Sequence, residues 1–139
     1  MEELEWLLDQ EVPNDKKLCF KPNLWPHVWL GGSVEDQDRA DERRVYLKAL
    51  SNSGWTSFVS YEPALENVDW SGWEFLDGLI CGGESGPNAR PIHPDWARSA
   101  RDFCEDRSIA FFFKQWGKWL PWGQFCSTDI IDDLSLIHI

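Results

Sequence analysis

No stretch of this chain is long and apolar enough to span a bilayer, and its first residues, MEELEWLLDQ, carry acids where a secretory leader carries bases. A signal peptide is thereby set aside, and the expected compartment is the cytosol. Cysteine is sparse and scattered: Cys19, Cys81, Cys104 and Cys126 contain no C-x-x-C pair. That spacing excludes a thiol-rich metal site or a disulfide framework and leaves free, buried thiols as the expectation. Base is scarce too. Thirteen Lys and Arg against 24 Asp and Glu give a formal net charge of −11, so affinity for nucleic acid across the surface is not expected. Also missing are a G-x-G-x-x-G fingerprint, a Gly-Lys-Ser/Thr phosphate loop, and any Ser/His/Asp or Cys/His set that can be assembled.

What is present is aromatic. Ten Trp and eight Phe in 139 residues call for a large aromatic core or a stacking surface. The length allows one domain with a real core. Charge is uneven along it. Residues 1–24 form an acidic segment led by Glu2, Glu3, Glu5, Asp9, Glu11 and Asp15, whereas bases and acids nearly balance between 82 and 122.

From residue 28 onward one unit recurs: a short apolar run, a Gly or polar turn, then a helix-like segment. Val28–Leu30 is the first strand expected, leading through Gly31, Gly32 and Ser33 into a helix whose acids Glu35, Asp36 and Asp38 come early and whose bases Arg43, Arg44 and Lys48 come late. Gly54 suits its stop. Trp55–Ser60 and Leu76–Cys81 have strand composition, and the intervening ALENVDWSGWEF reads as loop or one short turn. Pro94–Arg107 is the clearest helix, with Pro94 at the first helical position and Trp96, Ala100, Phe103 and Cys104 on one face. Ile109–Trp116 is apolar on both faces, as parallel strands covered by helices are. The alternation predicts an α/β fold with parallel strand-helix repeats. Four units, with a remnant strand near LEWLL, make half of a TIM-like barrel, whose usual length is about 250 residues. A half barrel leaves an edge and an apolar inner face open, so a missing N-terminal half or a partner protein is expected to complete it.

Ligands of parallel α/β folds meet the loops at the carboxyl ends of the strands. Those ends offer Ser33 and Glu35, then Ser60 and Glu62, then Gly82, Gly83, Glu84, Ser85 and Arg90, then Lys114 and Gln115. Three carboxylates on one rim suit a hard cation or a general base beside Lys114; taken singly, Glu35 suits a helix first turn and Glu62 a turn before Pro63. The stretch GGESGPNARP has two readings. Gly82 and Gly83 either supply positive φ at a tight turn, or expose backbone N–H groups that, with Ser85 and Arg90, hold an anion or the polar edge of a cofactor. His93 fits a helix start. Lys114–Trp122 interleaves bases with Trp116, Trp119 and Trp122, which suits a Trp-rich lid better than a base-stacking surface.

The blocks WPHVWLGGSVEDQDRADER, FVSYEPAL, GLICGGESGPNARPIHPDWARSARDFC and FFFKQWGKW, running in order from Trp25 to Trp119, resemble a phage and prophage family named after gene products thirty-seven and sixty-eight. That resemblance implies a radical-SAM-like partial barrel over residues 25–122, with S-adenosylmethionine and an iron–sulfur cluster in complete members and a substrate left undefined. It also places the host or phage-infected bacterial cytoplasm as the setting. Gly78-Leu79-Ile80-Cys81-Gly82 loosely matches a Gly-x-Ile-x-Gly strand that lies near the adenine in similar enzymes. Two departures stand out. The family's S-C-E-P reads Ser60-Tyr61-Glu62-Pro63 here, and none of the four cysteines has the spacing of the three-cysteine motif. No cofactor and no metal are therefore expected for this chain alone.

Three functions follow as expectations. The first is the C-terminal fragment of a radical-SAM-like phage protein, inactive by itself. The second is a small acidic phage protein that binds or inhibits a partner, and the third a metal-dependent hydrolase using Glu35, Glu62 and Glu84. Residues 123–139 read as a tail in which 134–139, LSLIHI, matches a translated sequencing adapter, so the native sequence is expected to stop near Asp133.

Overall fold

The computed structural model describes residues 25–120. The acidic segment 1–24 with its LEWLL motif and Cys19, and the tail with Trp122, Cys126 and residues 123–139, lie outside the described residues.

Four strands alternate with two helices: β1 (Trp29–Ser33), α1 (Gln37–Asn52), β2 (Thr56–Tyr61), β3 (Gly78–Gly82), α2 (Pro94–Arg107) and β4 (Ala110–Gln115). The strands form one parallel sheet in the order β1-β2-β3-β4. Parallel neighbours in chain order need crossovers, and right-handed crossovers put α1, the 62–77 connection and α2 on a single face.

Alternation along the strands decides what each face receives. Ser57, Val59, Tyr61, Leu79, Cys81 and Phe111 point under the helices and are buried. Trp29, Gly31, Ser33, Thr56, Phe58, Ser60, Gly78, Ile80, Ala110 and Phe112 share the opposite face. Among the described residues nothing covers that face, and Trp29 is 52% and Phe112 59% exposed. Among the described residues β4 is covered on one side: its Phe111 is under α2, and no described element lies over its Phe112.

The glycines of β1 are also corrected, from turn to strand. A side chain at Gly31 would collide with the Phe58 ring, and one at Gly32 would meet Leu47 of α1 at 3.3 Å. Close packing over both faces, rather than a turn, is why glycine stands there. The helix begins six residues after Gly31, with Asp36 as N-cap accepting from the Arg39 amide. Glu35 therefore lies outside it, and no base sits in its last turn; Arg43 and Arg44 are spent on other partners.

Helix α2 matches its expected limits because its ends are chemically marked. His93 Nδ1 accepts from the Asp95 amide at 3.2 Å, Pro94 opens the helix, and Ser108 closes it in the left-handed conformation. Its fully buried positions are Ala97, Ala100 and Cys104, while Trp96 and Phe103 are half-buried against the core.

The 62–77 connection carries no helix or strand, yet it supplies Ala64, Val68, Trp70, Trp73 and Leu76 to the core. Trp70 packs edge-on against both Tyr61 and Trp73, at ring separations of 5.2 and 5.8 Å. Burying these rings fixes an irregular segment that hydrogen bonds alone would leave loose.

Candidate functional site at the carboxyl rim

At the carboxyl end of the open face, polar side chains replace apolar ones. Ser33 and Ser60 are register partners on adjacent strands, and neither hydroxyl bonds to a described residue. Just beyond them lies Glu62. The chain after Tyr61 folds back over the rim, with the Ala64 amide donating to Gly82 O at 2.9 Å and the Leu65 amide to Glu35 O at 2.9 Å. This path lays the Glu62 side chain across Gly82.

Two consecutive residues of β4 reach that carboxylate. Lys114 Nζ is 3.1 Å from Oε2, and Gln115 Nε2 donates to Oε1 at 3.3 Å. In a regular strand neighbours point to opposite faces. Here the register slips between Cys81 and Gly82, so that Gly82 pairs with Gln115 and Lys114 is the extra residue. The bulge re-aims the strand end, as bulges beside sites do. Gln115 also donates to Ser85 Oγ at 3.2 Å, joining the fourth strand end to the glycine-rich loop.

Gly82 and Gly83 are required by close approach and not by positive φ, which neither adopts. A Cβ on Gly82 would lie 3.2 Å from the Glu62 carboxyl carbon; one on Gly83 would run into the Trp116 carbonyl. Gly82 is the end of β3 rather than loop, and both glycines are buried. The positive φ of this stretch is at Gly86, +112°.

The remaining candidates are drawn away from the rim. Glu84 is held by Arg90 through a two-pronged contact, Nε to Oε2 at 2.9 Å and Nη2 to Oε1 at 2.8 Å, and by the Arg90 amide at 2.7 Å. These bonds press the Glu84 carboxyl down to about 2. Glu35 is paired with Arg43 Nη1 at 3.0 Å, and the same guanidinium donates to Ser33 O. So the three acids do not share one site: each has its own cation, and among the described residues no three His, Cys, Asp or Glu side chains cluster to hold a metal. The loop's amides are partly spent as well, Gly83 N on Gln115 O and Arg90 N on Glu84. Over the loop lies the 116–119 segment, with Lys118 Nζ bonded to Pro87 O at 2.9 Å and Trp119 Nε1 to Ala89 O at 2.6 Å. This is a strap across the loop, with the Trp119 ring half exposed.

Below the rim the face is apolar. Trp29, Phe58, Gly78, Ile80, Ala110 and Phe112 line a shallow cavity of about 210 Å³. Sequence reading expected an open apolar inner face but did not name the residues that line it. The two described thiols, Cys81 and Cys104, are free and buried on the helix side. Desolvation pushes both up to about 12.

Compared with known families, the sequence matches the one described as protein of unknown function DUF5131 over residues 2–130. No curated protein and no solved structure matches it. The chain belongs to the DUF5131 family.

Proposed function

We propose that this chain is the C-terminal part of a phage-encoded protein of radical-SAM type, of the kind named after gene products thirty-seven and sixty-eight. In this reading its rim holds the polar end of a small cofactor or substrate at the mouth of a partial α/β barrel. One observation carries it: successive parallel strands present polar side chains at their carboxyl ends on the same face as an apolar wall that no described residue covers. Ligands of such folds lie there, with catalysis divided among strand ends.

An iron–sulfur cluster does not fit the described residues. Its ligands are thiolates, and burial keeps Cys81 and Cys104 protonated on the wrong side of the sheet. Any cluster would draw its thiolates from elsewhere. S-adenosylmethionine fits better. Its amino-acid end is zwitterionic, and the rim offers the Lys114–Glu62 ion pair and the Ser33 and Ser60 hydroxyls, which bond to no described residue. When bound, that cofactor would supply a radical only on accepting an electron from a cluster held elsewhere; the part played by these residues is to hold and orient it. Half a rim holds a ligand weakly.

Saturation-transfer NMR with S-adenosylhomocysteine, a stable stand-in, reads millimolar binding. Transfer to the ligand is expected with the parent chain, and a drop of about tenfold in affinity with Glu62→Gln or Ser60→Ala, each charge or hydrogen-bond contact being worth about 1.4 kcal/mol. No transfer to the parent chain, or equal transfer to the rim variants, refutes the assignment.

A further inference from the structure

We propose that residues 16–24 of this chain, KKLCFKPNL, dock in a cavity at the amino end of the sheet. Leu18 and Phe20 lie on its aromatic walls, and the lysines lie beside the C-terminal end of α1. The cavity, of about 490 Å³, separates the turn that leads into β1 from the exit of α1. Trp25, Pro26 and Val28 line one side of it; Ser53, Gly54 and Trp55 line the other. Both sides are held by backbone hydrogen bonds. The Val28 amide donates to Trp25 O at 3.0 Å, and the Trp55 amide donates to Leu50 O at 3.3 Å. Trp25 is 43% exposed. Such a size and such an aromatic lining belong to a site that takes a peptide or a small molecule. It lies at the opposite end of the strands from the rim, so the inference does not rest on the rim assignment.

The end of α1 names the chemistry of the occupant. This helix has Asp38 in its first turn and no base in its last, so its own side chains leave the negative end of the dipole unanswered. A base carried in by another segment is stabilised there. In residues 1–24 the acids run from Glu2 to Asp15, and Lys16, Lys17 and Lys21 are the only Lys or Arg. They bracket Leu18, Cys19 and Phe20. One short run therefore carries both the apolar side chains that suit the walls and the charge that the helix end lacks.

Chain position decides between this segment and the tail. Phe20 is five residues before Trp25, itself a lining residue, and five residues reach at most about 17 Å. The tail instead follows the carboxyl end of β4, whose six residues carry it about 20 Å along the sheet from the amino end. The family match begins at residue 2, so residues 16–24 belong to the same unit as the sheet. Whatever lies upstream of residue 16 then joins the fold at the foot of β1, away from the rim.

Nuclear Overhauser spectra of the full chain test the docking without a variant. Contacts are expected from the Phe20 ring and the Leu18 methyls to the Trp25 and Trp55 indoles, and from lysine methylenes of residues 16–21 to Ser53 or Gly54. No contact from residues 16–24 overturns the proposal, as do contacts from residues 121–139 in their place. Aromatic contacts without the lysine ones overturn the charge pairing. In an equal mixture of labelled and unlabelled chains, contacts seen only between copies overturn the proposal in favour of a second chain. Leu18→Ser/Phe20→Ser gives a further reading. It is expected to shift the amide signals of Trp25, Val28 and Trp55 while those of Ser60 and Lys114 at the rim stay in place. Unmoved signals at the cavity overturn the proposal as well.

Discussion

Replacing Gly83 by alanine should unfold more of this protein than its single added methyl suggests. The Cβ would run into the Trp116 carbonyl oxygen and carbon and approach Ile92 Cγ2 to 3.0 Å. Backbone cannot rotate aside as a side chain does. Here the two segments are also tied, by Gly83 N to Gln115 O and Lys118 N to Glu84 O, each at 2.9 Å. Relief requires the exits of β3 and β4 to part, losing two backbone hydrogen bonds at about 0.5–1.5 kcal/mol each. Overpacking adds about 1–3 kcal/mol, for a total of about 2–6 kcal/mol. Gly86→Ala is the control. It has open space around it but φ of +112°, so its cost is conformational, about 1–2 kcal/mol. Gly82→Ala meets only the flexible end of Glu62 at 3.2 Å; it should cost under about 1.5 kcal/mol while displacing the carboxylate from Lys114. Urea unfolding followed by tryptophan fluorescence measures all three. The order of loss should be Gly83 over Gly86 over Gly82, and rim binding should fall most, among variants that stay folded, in Gly82→Ala. Gly83→Ala as mild as Gly86→Ala would refute the close-approach account.

Trp73 is fully buried, and among the described residues its Nε1 has no partner. Trp73→Ala should cost about 3–5 kcal/mol, while Trp73→Phe, which removes the unpaired N–H with part of the ring, should cost under about 1.5 kcal/mol in the same urea assay; a larger loss would reveal a partner for the indole nitrogen. By NMR titration the Glu84 carboxyl should have its midpoint near 2, returning to the ordinary range in Arg90→Ala. Its folded value is depressed, so the stabilisation it gives is present above the unfolded value and lost as pH falls toward 2. In Cys19→Ser/Cys126→Ser, both remaining thiols should resist alkylation at pH 8 until urea unfolds the chain. Their folded values are raised to about 12, so stability from keeping them neutral holds below about 9 and is lost as pH rises toward 12. Fast alkylation of the native variant would refute their burial.

The repeating strand–helix order was legible because each unit carries its own local signal. For α2 these are Pro94, the His93 cap and the apolar face, and local chemistry also fixed its ends. What sequence did not reveal is set by contacts between distant residues. Gly31 and Gly32 look like a turn, since glycine is a breaker, but their conformation answers to Phe58 and Leu47 from other elements. The 62–77 connection has no period of 2 or 3.6, so nothing announced that Trp70 and Trp73 belong to the core. The site divides the same way. Strand ends were readable: Ser33 pairs in register with Ser60, and Lys114 and Gln115 reach Glu62. Glu35 and Glu84 had equal claims in sequence, and the structure holds them on Arg43 and Arg90, apart from the Glu62–Lys114 pair. The decisive device was invisible. Only a bulge lets Lys114 and Gln115, adjacent in the chain, grip one carboxylate, and a bulge arises from how two strands end together. The glycine-rich stretch is therefore less a loop that grasps a ligand than the floor on which Glu62 is laid.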